Sequence, residues 1–137
     1  MNDVILNKLE TIRSCLDRIE QLYGGDPSNL SDITLQDAIV LNLQRACESC
    51  ISLAMHVVSK RDLGVPQNSR EAFTKLEEAG FLTEDLTLRL KAMVGFRNIA
   101  IHAYQEISLE ILRAILENNL DDFRAFSDQI IAHFGQP

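Results

Sequence analysis

The sequence predicts an all-α protein, an up-and-down antiparallel bundle of four long helices plus one short helix. Apolar residues recur every three or four positions along most of the chain, which is the period of an α-helix. No stretch alternates cleanly between apolar and polar residues, as a half-buried strand does. Short segments rich in glycine, proline or asparagine separate the helical stretches, so neighbouring helices are expected to run antiparallel.

Length and composition predict a single domain that spans residues 1–137. The chain is 46% hydrophobic and 24% charged, which is ordinary for a soluble globular protein. It has no run of eighteen apolar residues and no signal-peptide pattern, so we expect a cytoplasmic protein with no membrane span. A net charge of −7 argues against broad nonspecific binding of nucleic acid, although a local basic cleft stays open.

Helix one is predicted over residues 3–23, and Gly24 and Gly25 end it. Its apolar stripe comprises Ile5, Leu9, Ile12, Leu16, Ile19 and Tyr23. Residues 26–32 read as a loop by composition.

Helix two is predicted over residues 34–61. The Thr34 hydroxyl is expected to cap it while Asp37 reaches back, in the arrangement called a capping box. Two overlapping apolar stripes cover much of its circumference: Ile39, Leu43, Ala46, Cys50, Leu53 and Val57, and Val40, Cys47, Ile51, Ala54 and Val58. Such a helix is expected at the centre of the bundle or at a subunit interface.

The remaining helices are predicted from their caps and apolar spacing. Helix three covers residues 69–79, with Asn68 and Glu71 as a second capping box. Helix four begins near Thr83. Helix five runs unbroken over residues 108–133, with Gly135 past its end. Its stripe comprises Leu112, Leu116, Leu120, Phe123, Phe126, Ile130 and Phe134.

Helix four carries the densest group of chemically versatile side chains in the sequence. Arg97 and Tyr104 fall on its apolar stripe, which is formed by Leu86, Leu90, Met93 and Ile101. An arginine on a buried face is costly unless an anion meets it. That anion is either a structural partner or a ligand in a cleft.

The spacing of Arg97 and His102 poses a geometric problem. They are five residues apart, so a regular helix directs them roughly 140° away from each other. They can cooperate if the helix loosens near its end, or if a second copy of the chain places its motif opposite. Asn98 lies four residues before His102 and is expected to orient the imidazole by a hydrogen bond. Gly95 indicates either close helix packing or the approach of a backbone, a second copy or a substrate.

Other cysteines and histidines are interpreted as structural. Cys47 and Cys50 form a C-x-x-C pattern, but they lie in mid-helix on apolar stripes, so buried thiols are preferred to a redox pair or a zinc site. No glutamate is followed three residues later by histidine, which excludes the di-metal site of helical bundles. His56 is interpreted as a half-buried structural histidine, and His133 as a favourable cation at a helix end.

The motif Arg97-Asn98-x-x-x-His102-x-Tyr104 resembles the Arg-x4-His-x-Tyr motif of the HEPN superfamily, in its HepT toxin branch. The likeness extends to Gln44-Arg45-Ala46-x-Glu48, Phe73-x-x-Leu76-x-x-Ala79-Gly80, Leu90-x-x-Met93-x-Gly95-Phe96-Arg97-Asn98 and Leu120-Asp121-Asp122-Phe123. It therefore covers most of the chain.

The resemblance implies a homodimer whose two motifs face one cleft, and metal-independent endoribonuclease activity without a cofactor. Arg97 would bind the phosphate and hold the charge that grows during displacement. His102 would take the proton of the RNA 2′-OH, which leaves a 2′,3′-cyclic phosphate end. Asn98 would orient His102 or the scissile phosphate. With facing motifs, Arg97 of one chain could act with His102 of the other.

The resemblance also implies a toxin–antitoxin system of the type VII kind. The partner would be a small nucleotidyltransferase antitoxin of the MntA type, which transfers AMP from ATP to Tyr104. The added phosphate and base would block RNA by bulk and charge repulsion. The alternative is a noncatalytic helical module that binds a nucleotidyltransferase or a nucleotide, and the acidic net charge favours it.

Overall fold

Six α-helices and two short 3-10 helices form the protein in the computed structural model, which describes residues 2–134. The α-helices are α1 (Asp3–Tyr23), α2 (Ile33–Lys60), α3 (Ser69–Glu78), α4 (Glu84–His102), α5 (Leu109–Asn118) and α6 (Leu120–Phe134), and the 3-10 helices are Pro27–Ser31 and Tyr104–Glu106. Strands are absent from the described residues, so the predicted all-α class is confirmed. None of the helices within residues 2–134 is long and apolar enough to cross a membrane.

The first two helices form an antiparallel pair. Asn2, at the start of α1, places its Nδ2 3.1 Å from Nε2 of His56, near the end of α2. The same Asn2 caps α1 by accepting a hydrogen bond from the Ile5 backbone N–H. Gly24 ends α1 in the left-handed region, with φ of 58°, as predicted. His56 is therefore a half-buried histidine with a polar partner, which confirms its structural interpretation.

Helix α2 is the centre of the bundle. Every residue of its two predicted apolar stripes is buried, and the helix packs against α1, α3, α4 and α6. Across this core the rings of Phe73 on α3 and Phe126 on α6 meet edge to face, with their centroids 5.8 Å apart. The prediction of a central position for this helix is confirmed.

The predicted capping box of helix two is wrong. Asp32 caps α2 by accepting from the Leu35 backbone N–H at 3.1 Å, two residues before the predicted cap at Thr34. Asp32 is placed for this role because it ends the preceding 3-10 helix in an extended conformation. Asp37 is thereby left for a different contact, described below. Of the second predicted box, Asn68 accepts from the Glu71 backbone N–H, and α4 begins after Thr83, as predicted, with Thr83 accepting from the Leu86 backbone N–H.

The single helix predicted over residues 108–133 is two helices that meet at Asn119. Hydrogen bonds between polar side chains interrupt the helix at this point. The buried carboxylate of Asp122 accepts from Asn119 Nδ2 at 3.1 Å and from Arg89 Nη1 of α4 at 3.3 Å. Asparagine side chains compete with helical backbone bonds, so this network both breaks the helix and fastens α6 to α4. The predicted stop at Gly135 lies outside the described residues.

Candidate functional site

Arg97 is held between two neighbouring helices. Its side chain is only 18% exposed. Nη1 donates to Glu48 Oε1 of α2 at 3.0 Å, and Nη2 donates to Ser69 Oγ of α3 at 3.1 Å. Nε is buried and lacks a hydrogen-bond partner among the described residues. The expectation that an anion meets Arg97 is therefore met by a structural partner, the Glu48 carboxylate.

The ion pair of Arg97 and Glu48 is open to water on one side, since the Glu48 side chain is 45% exposed. An exposed carboxylate is a replaceable counter-ion, because water screens the attraction and the side chain is free to turn away. A phosphate that displaced it would find a guanidinium already oriented by Ser69. Arg97 can thus bind an anionic ligand even though the protein has a negative net charge.

His102 is the last residue of α4 and is exposed. The Ala103 backbone N–H makes the last helical bond, to the Ile99 carbonyl at 2.8 Å, and the helix ends because Ala103 itself leaves the helical conformation, with φ of −149° and ψ of 50°. The predicted hydrogen bond from Asn98 to His102 is absent from the described residues. Arg97 bonds to Glu48 on α2 and Ser69 on α3, whereas His102 makes no hydrogen bond or ion pair within the described residues.

Tyr104 does not continue the stripe of α4, because it belongs to the 3-10 helix after His102. Its hydroxyl donates a hydrogen bond to the Asp37 carboxylate of α2. The phenol is 40% exposed, and Asp37 is exposed as well. Partial burial of the hydroxyl and the bond to Asp37 raise the pKa of Tyr104 to about 12. Because both side chains are exposed, a reactant that approaches from solvent can reach the Tyr104 hydroxyl and the Asp37 carboxylate.

An apolar groove lies on another face of α4. It encloses about 430 Å³ and is lined by α2, α4, α5 and the start of α6, with Phe96, Ile99, Ile111 and Ile115 among its walls. Ile99 is 42% and Ile111 57% exposed. Ile101, which was predicted to be buried, is 42% exposed in the last turn of α4. The described residues leave this apolar surface uncovered.

Gly95 lies close to the side chain of an arginine on α3. A Cβ at this position would lie 3.2 Å from Nη2 of Arg70, whose Nε donates to the Lys91 carbonyl of α4. That atom is the end of a flexible, exposed side chain that can shift, so the Arg70 contact does not by itself require glycine; Gly95 also lies in the wall of the apolar groove. The guanidinium of Arg70 therefore contacts α4, and Arg70 directly follows Ser69, the residue of α3 that bonds Arg97.

The buried cysteines behave as predicted. Cys47 and Cys50 are free and fully buried, and burial raises the pKa of both thiols well above the usual range. Residues 2–134 contain no group of three or more His, Cys, Asp or Glu side chains placed to hold a metal ion. His133 is exposed, and its ring centroid lies 4.5 Å from that of Phe81.

Sequence reasoning missed four residues of this region, Asp37, Glu48, Ser69 and Arg70. One signal was available for Glu48, since a largely buried arginine demands an anionic partner. No signal in the sequence identifies Ser69 or Arg70 as residues that contact α4, because spacing along one helix does not say which residues pack across from it.

A helical bundle whose fourth helix presents Arg97, Asn98 and His102, with Tyr104 just beyond, has the architecture of a HEPN protein. Residues 12–130 match the family model described as Ribonuclease HepT-like. The mRNA nuclease HepT of Shewanella oneidensis is 48% identical over 132 residues, which cover 96% of this chain and 99% of that protein. The chain therefore belongs to the HepT-like ribonuclease family, and the resemblance stated from the sequence is confirmed.

Solved structures agree with this assignment. The tri-AMPylated HEPN toxin of Shewanella oneidensis, in complex with MNT antitoxin, superposes with a TM-score of 0.91 at 49% identity, over 96% of this chain and 99% of that one. A toxin–antitoxin complex with AMP-PNP gives a TM-score of 0.89 at 45% identity, over 96% and 99% of the two chains. Identity at this level over nearly the whole length makes both fold and family secure.

Proposed function

We propose that this chain is the toxin of a toxin–antitoxin pair, an endoribonuclease that is silenced when a nucleotidyltransferase antitoxin attaches AMP to Tyr104. The near-full-length match to an mRNA nuclease carries the proposal. The Arg-x4-His pattern of α4 adds a chemical reason, since a guanidinium and an imidazole suffice to cleave RNA without a metal. The proposed place of action is the cytoplasm, where mRNA is found.

His102 acts as the general base. It accepts the proton of a ribose 2′-OH, and the 2′-oxygen then bonds to the adjacent phosphorus while the 5′-oxygen of the next nucleotide leaves. The leaving 5′-oxygen takes a proton from water, so the products are a 2′,3′-cyclic phosphate and a 5′-hydroxyl end. Arg97 binds the scissile phosphate through its Nη atoms and stabilises the charge that grows on it. Asn98, half-buried one turn before His102, positions the phosphate or the imidazole.

The active unit is a homodimer. A second copy would place its motif opposite the first, so that Arg97 of one chain acts with His102 of the other. The apolar groove between α4 and α5 supports a second copy as the occupant, because uncovered apolar walls of this size favour association. In a two-fold dimer each patch contacts its own equivalent, which brings the two copies of α4 close together.

Silencing acts on Tyr104. The chain has two tyrosines, and only Tyr104 is accessible, since Tyr23 is 6% exposed and hydrogen-bonded to Glu117. The matched toxin of Shewanella oneidensis is tri-AMPylated in its complex, which supports AMP as the group transferred. The chain itself then needs no cofactor, and ATP serves the antitoxin as AMP donor. The added phosphate competes with RNA for Arg97.

A noncatalytic module that binds the nucleotidyltransferase or a nucleotide is the second candidate. One observation favours it: Glu48 neutralises Arg97 in the chain as it stands, within a protein of net charge −7. For cleavage, RNA must displace the Glu48 carboxylate from Arg97. In a noncatalytic module, this ion pair would stay in place.

Incubation of the purified chain with RNA in EDTA separates the two candidates. We expect wild type to leave cyclic phosphate ends and His102→Ala to leave the RNA intact. Arg113→Ala is the matched control, because Arg113 is an exposed arginine paired with Glu117 at a distance from the motif. Equal cleavage by wild type and His102→Ala, or none by either, would favour the noncatalytic module.

A second experiment tests silencing. The chain is incubated with its antitoxin and ATP, and its intact mass is measured. We expect AMP on wild type and on Tyr23→Phe, and none on Tyr104→Phe. AMP on the last variant would exclude Tyr104 as the acceptor.

A further inference from the structure

The hydroxyl of Tyr104 is anchored rather than free in solvent. Its partner Asp37 lies 67 residues earlier in the chain, in the second turn of α2. The contact is not a by-product of helix capping, since Asp32 caps α2. Lysine and arginine side chains within residues 2–134 form no ion pair with Asp37. Among the described side chains, its carboxylate therefore bonds to the Tyr104 phenol alone.

We propose that Asp37 takes the proton of the Tyr104 hydroxyl when that oxygen accepts AMP, and holds the oxygen in place for the attack. This inference rests on the proposed transfer of AMP to Tyr104. Asp37 touches the reacting atom, so its role is catalytic, and it is supplied by the protein that is modified.

Tyr104 Oη forms a bond to the α-phosphorus of ATP, and the bond from that phosphorus to the oxygen bridging to the β-phosphorus breaks. Pyrophosphate leaves with the electron pair. The phenolic proton passes to the Asp37 carboxylate along the existing hydrogen bond and is then released to water. No oxidant or reductant takes part.

A proton acceptor is needed because the phenol holds its proton tightly. Partial burial and Asp37 raise the pKa of Tyr104 to about 12, so phenolate is scarce at neutral pH. The neutral phenol must therefore attack, and its acidity increases sharply as the bond to phosphorus forms. A carboxylate already bonded to the hydroxyl is placed to receive the proton at that moment.

The exposure of the pair fits an external donor of AMP. Tyr104 is 40% exposed, and Asp37 and Glu106 beside it are exposed as well. A nucleotidyltransferase carrying ATP can thus reach the hydroxyl from solvent while Asp37 supports it from α2. Glu106 carries the same charge two residues from Tyr104, but its carboxylate makes no hydrogen bond to the phenol within the described residues.

The experiment measures the initial rate at which the first AMP is added, using the full chain, its antitoxin, ATP and Mg²⁺, with intact mass as the readout. Asp37→Asn is compared with wild type, and Glu106→Gln is the control with the same change of charge. We expect Asp37→Asn to lower kcat by roughly 100-fold or more with KM for the toxin nearly unchanged, as loss of a general base does. Glu106→Gln should stay within about twofold of wild type, because an exposed charge that makes no bond to the phenol contributes little.

The pH profile distinguishes proton transfer from mere positioning. The residual rate of Asp37→Asn should rise about tenfold per pH unit between about pH 7 and 9, since it then depends on preformed phenolate. Wild type should be nearly flat over that range, and Asp37→Glu should regain part of the activity. A loss confined to KM, or the same pH profile in both proteins, would overturn the inference while the AMP transfer itself stands. Absence of AMP from wild type would instead remove the proposed function and this inference together.

Discussion

Glu48 and Arg97 form an ion pair across α2 and α4, with 3.0 Å between Oε1 and Nη1. Glu48 is 45% exposed, so the pair contributes at most about 1 kcal/mol to stability. Its larger significance is for binding, because the carboxylate occupies the position on Arg97 that an RNA phosphate is proposed to take.

Replacing Glu48 by glutamine tests this competition. Glutamine keeps a hydrogen-bond acceptor for Arg97 and removes the charge, so we expect KM for RNA to fall by up to about fivefold, with kcat within about twofold of wild type. The measurement is steady-state cleavage of a fluorescent RNA. Glu10→Gln is the control, since Glu10 pairs with Arg13 on α1, far from the motif. Equal KM values for the two variants would show that Glu48 does not compete with phosphate.

Mixing two inactive variants tests whether the site forms across the dimer. Arg97→Ala and His102→Ala should each lower cleavage by about 100-fold or more. If Arg97 of one chain acts with His102 of the other, the mixed dimer retains one intact site of two. Random mixing makes half of the dimers mixed, so we expect about a quarter of the wild-type activity. No recovery after subunit exchange would place the complete site within one chain.

The apolar groove predicts where the dimer forms. Ile111→Glu puts a charge on its exposed wall, and burying that charge in an interface is unfavourable, so we expect a monomer by light scattering. Leu88→Glu is the matched control, because Leu88 is 62% exposed on α4 but lies outside the groove. Dimers of equal stability in both variants would locate the interface elsewhere.

The parts of the fold that depend on neighbouring residues could be predicted from the sequence. Gly24 ends α1, α4 begins beside Thr83, and the stripes of α2 are buried, because each depends on the local period or on a signal within one turn. The break at Asn119 could not be predicted, since it depends on a buried carboxylate that also bonds Arg89 on another helix.

In the candidate site, too, the residues of a local motif could be predicted and their partners on another helix could not. Arg97, His102 and Tyr104 stand close together in the sequence and were identified from their motif. Their partners were not, because Glu48 and Asp37 reach them across the bundle from α2. The sequence predicted a local capping role for Asp37. Because Asp32 caps α2 instead, Asp37 is available to accept a hydrogen bond from Tyr104, 67 residues further along the chain.

The three cysteines should be inert in the native protein. Cys15, Cys47 and Cys50 are buried, and burial raises the pKa of each thiol, so thiolate is scarce and inaccessible. We expect a thiol reagent to react at least about 1,000-fold more slowly with native than with unfolded protein, because reaction must await opening of the core. Fast labelling of Cys47 or Cys50 would revive the redox interpretation of the C-x-x-C pattern.

The bond between Tyr104 and Asp37 can be tested in the chain alone by titrating the phenol. In a Tyr23→Phe background Tyr104 is the one tyrosine of the sequence, so the ultraviolet absorbance of phenolate reports it directly. The midpoint should lie at about 12 and should move toward the ordinary value of 10.0 in Asp37→Asn, while Glu106→Gln leaves it unchanged. A raised pKa means that the folded chain holds the proton more tightly than the unfolded chain. The contribution to stability is therefore complete below about pH 10 and is lost as the pH rises through about 12. Circular dichroism on the same samples shows whether the helices persist over this range. Equal midpoints in Asp37→Asn and Glu106→Gln, with the helices intact, would mean that burial alone raises the pKa of Tyr104 and that Asp37 does not hold its proton.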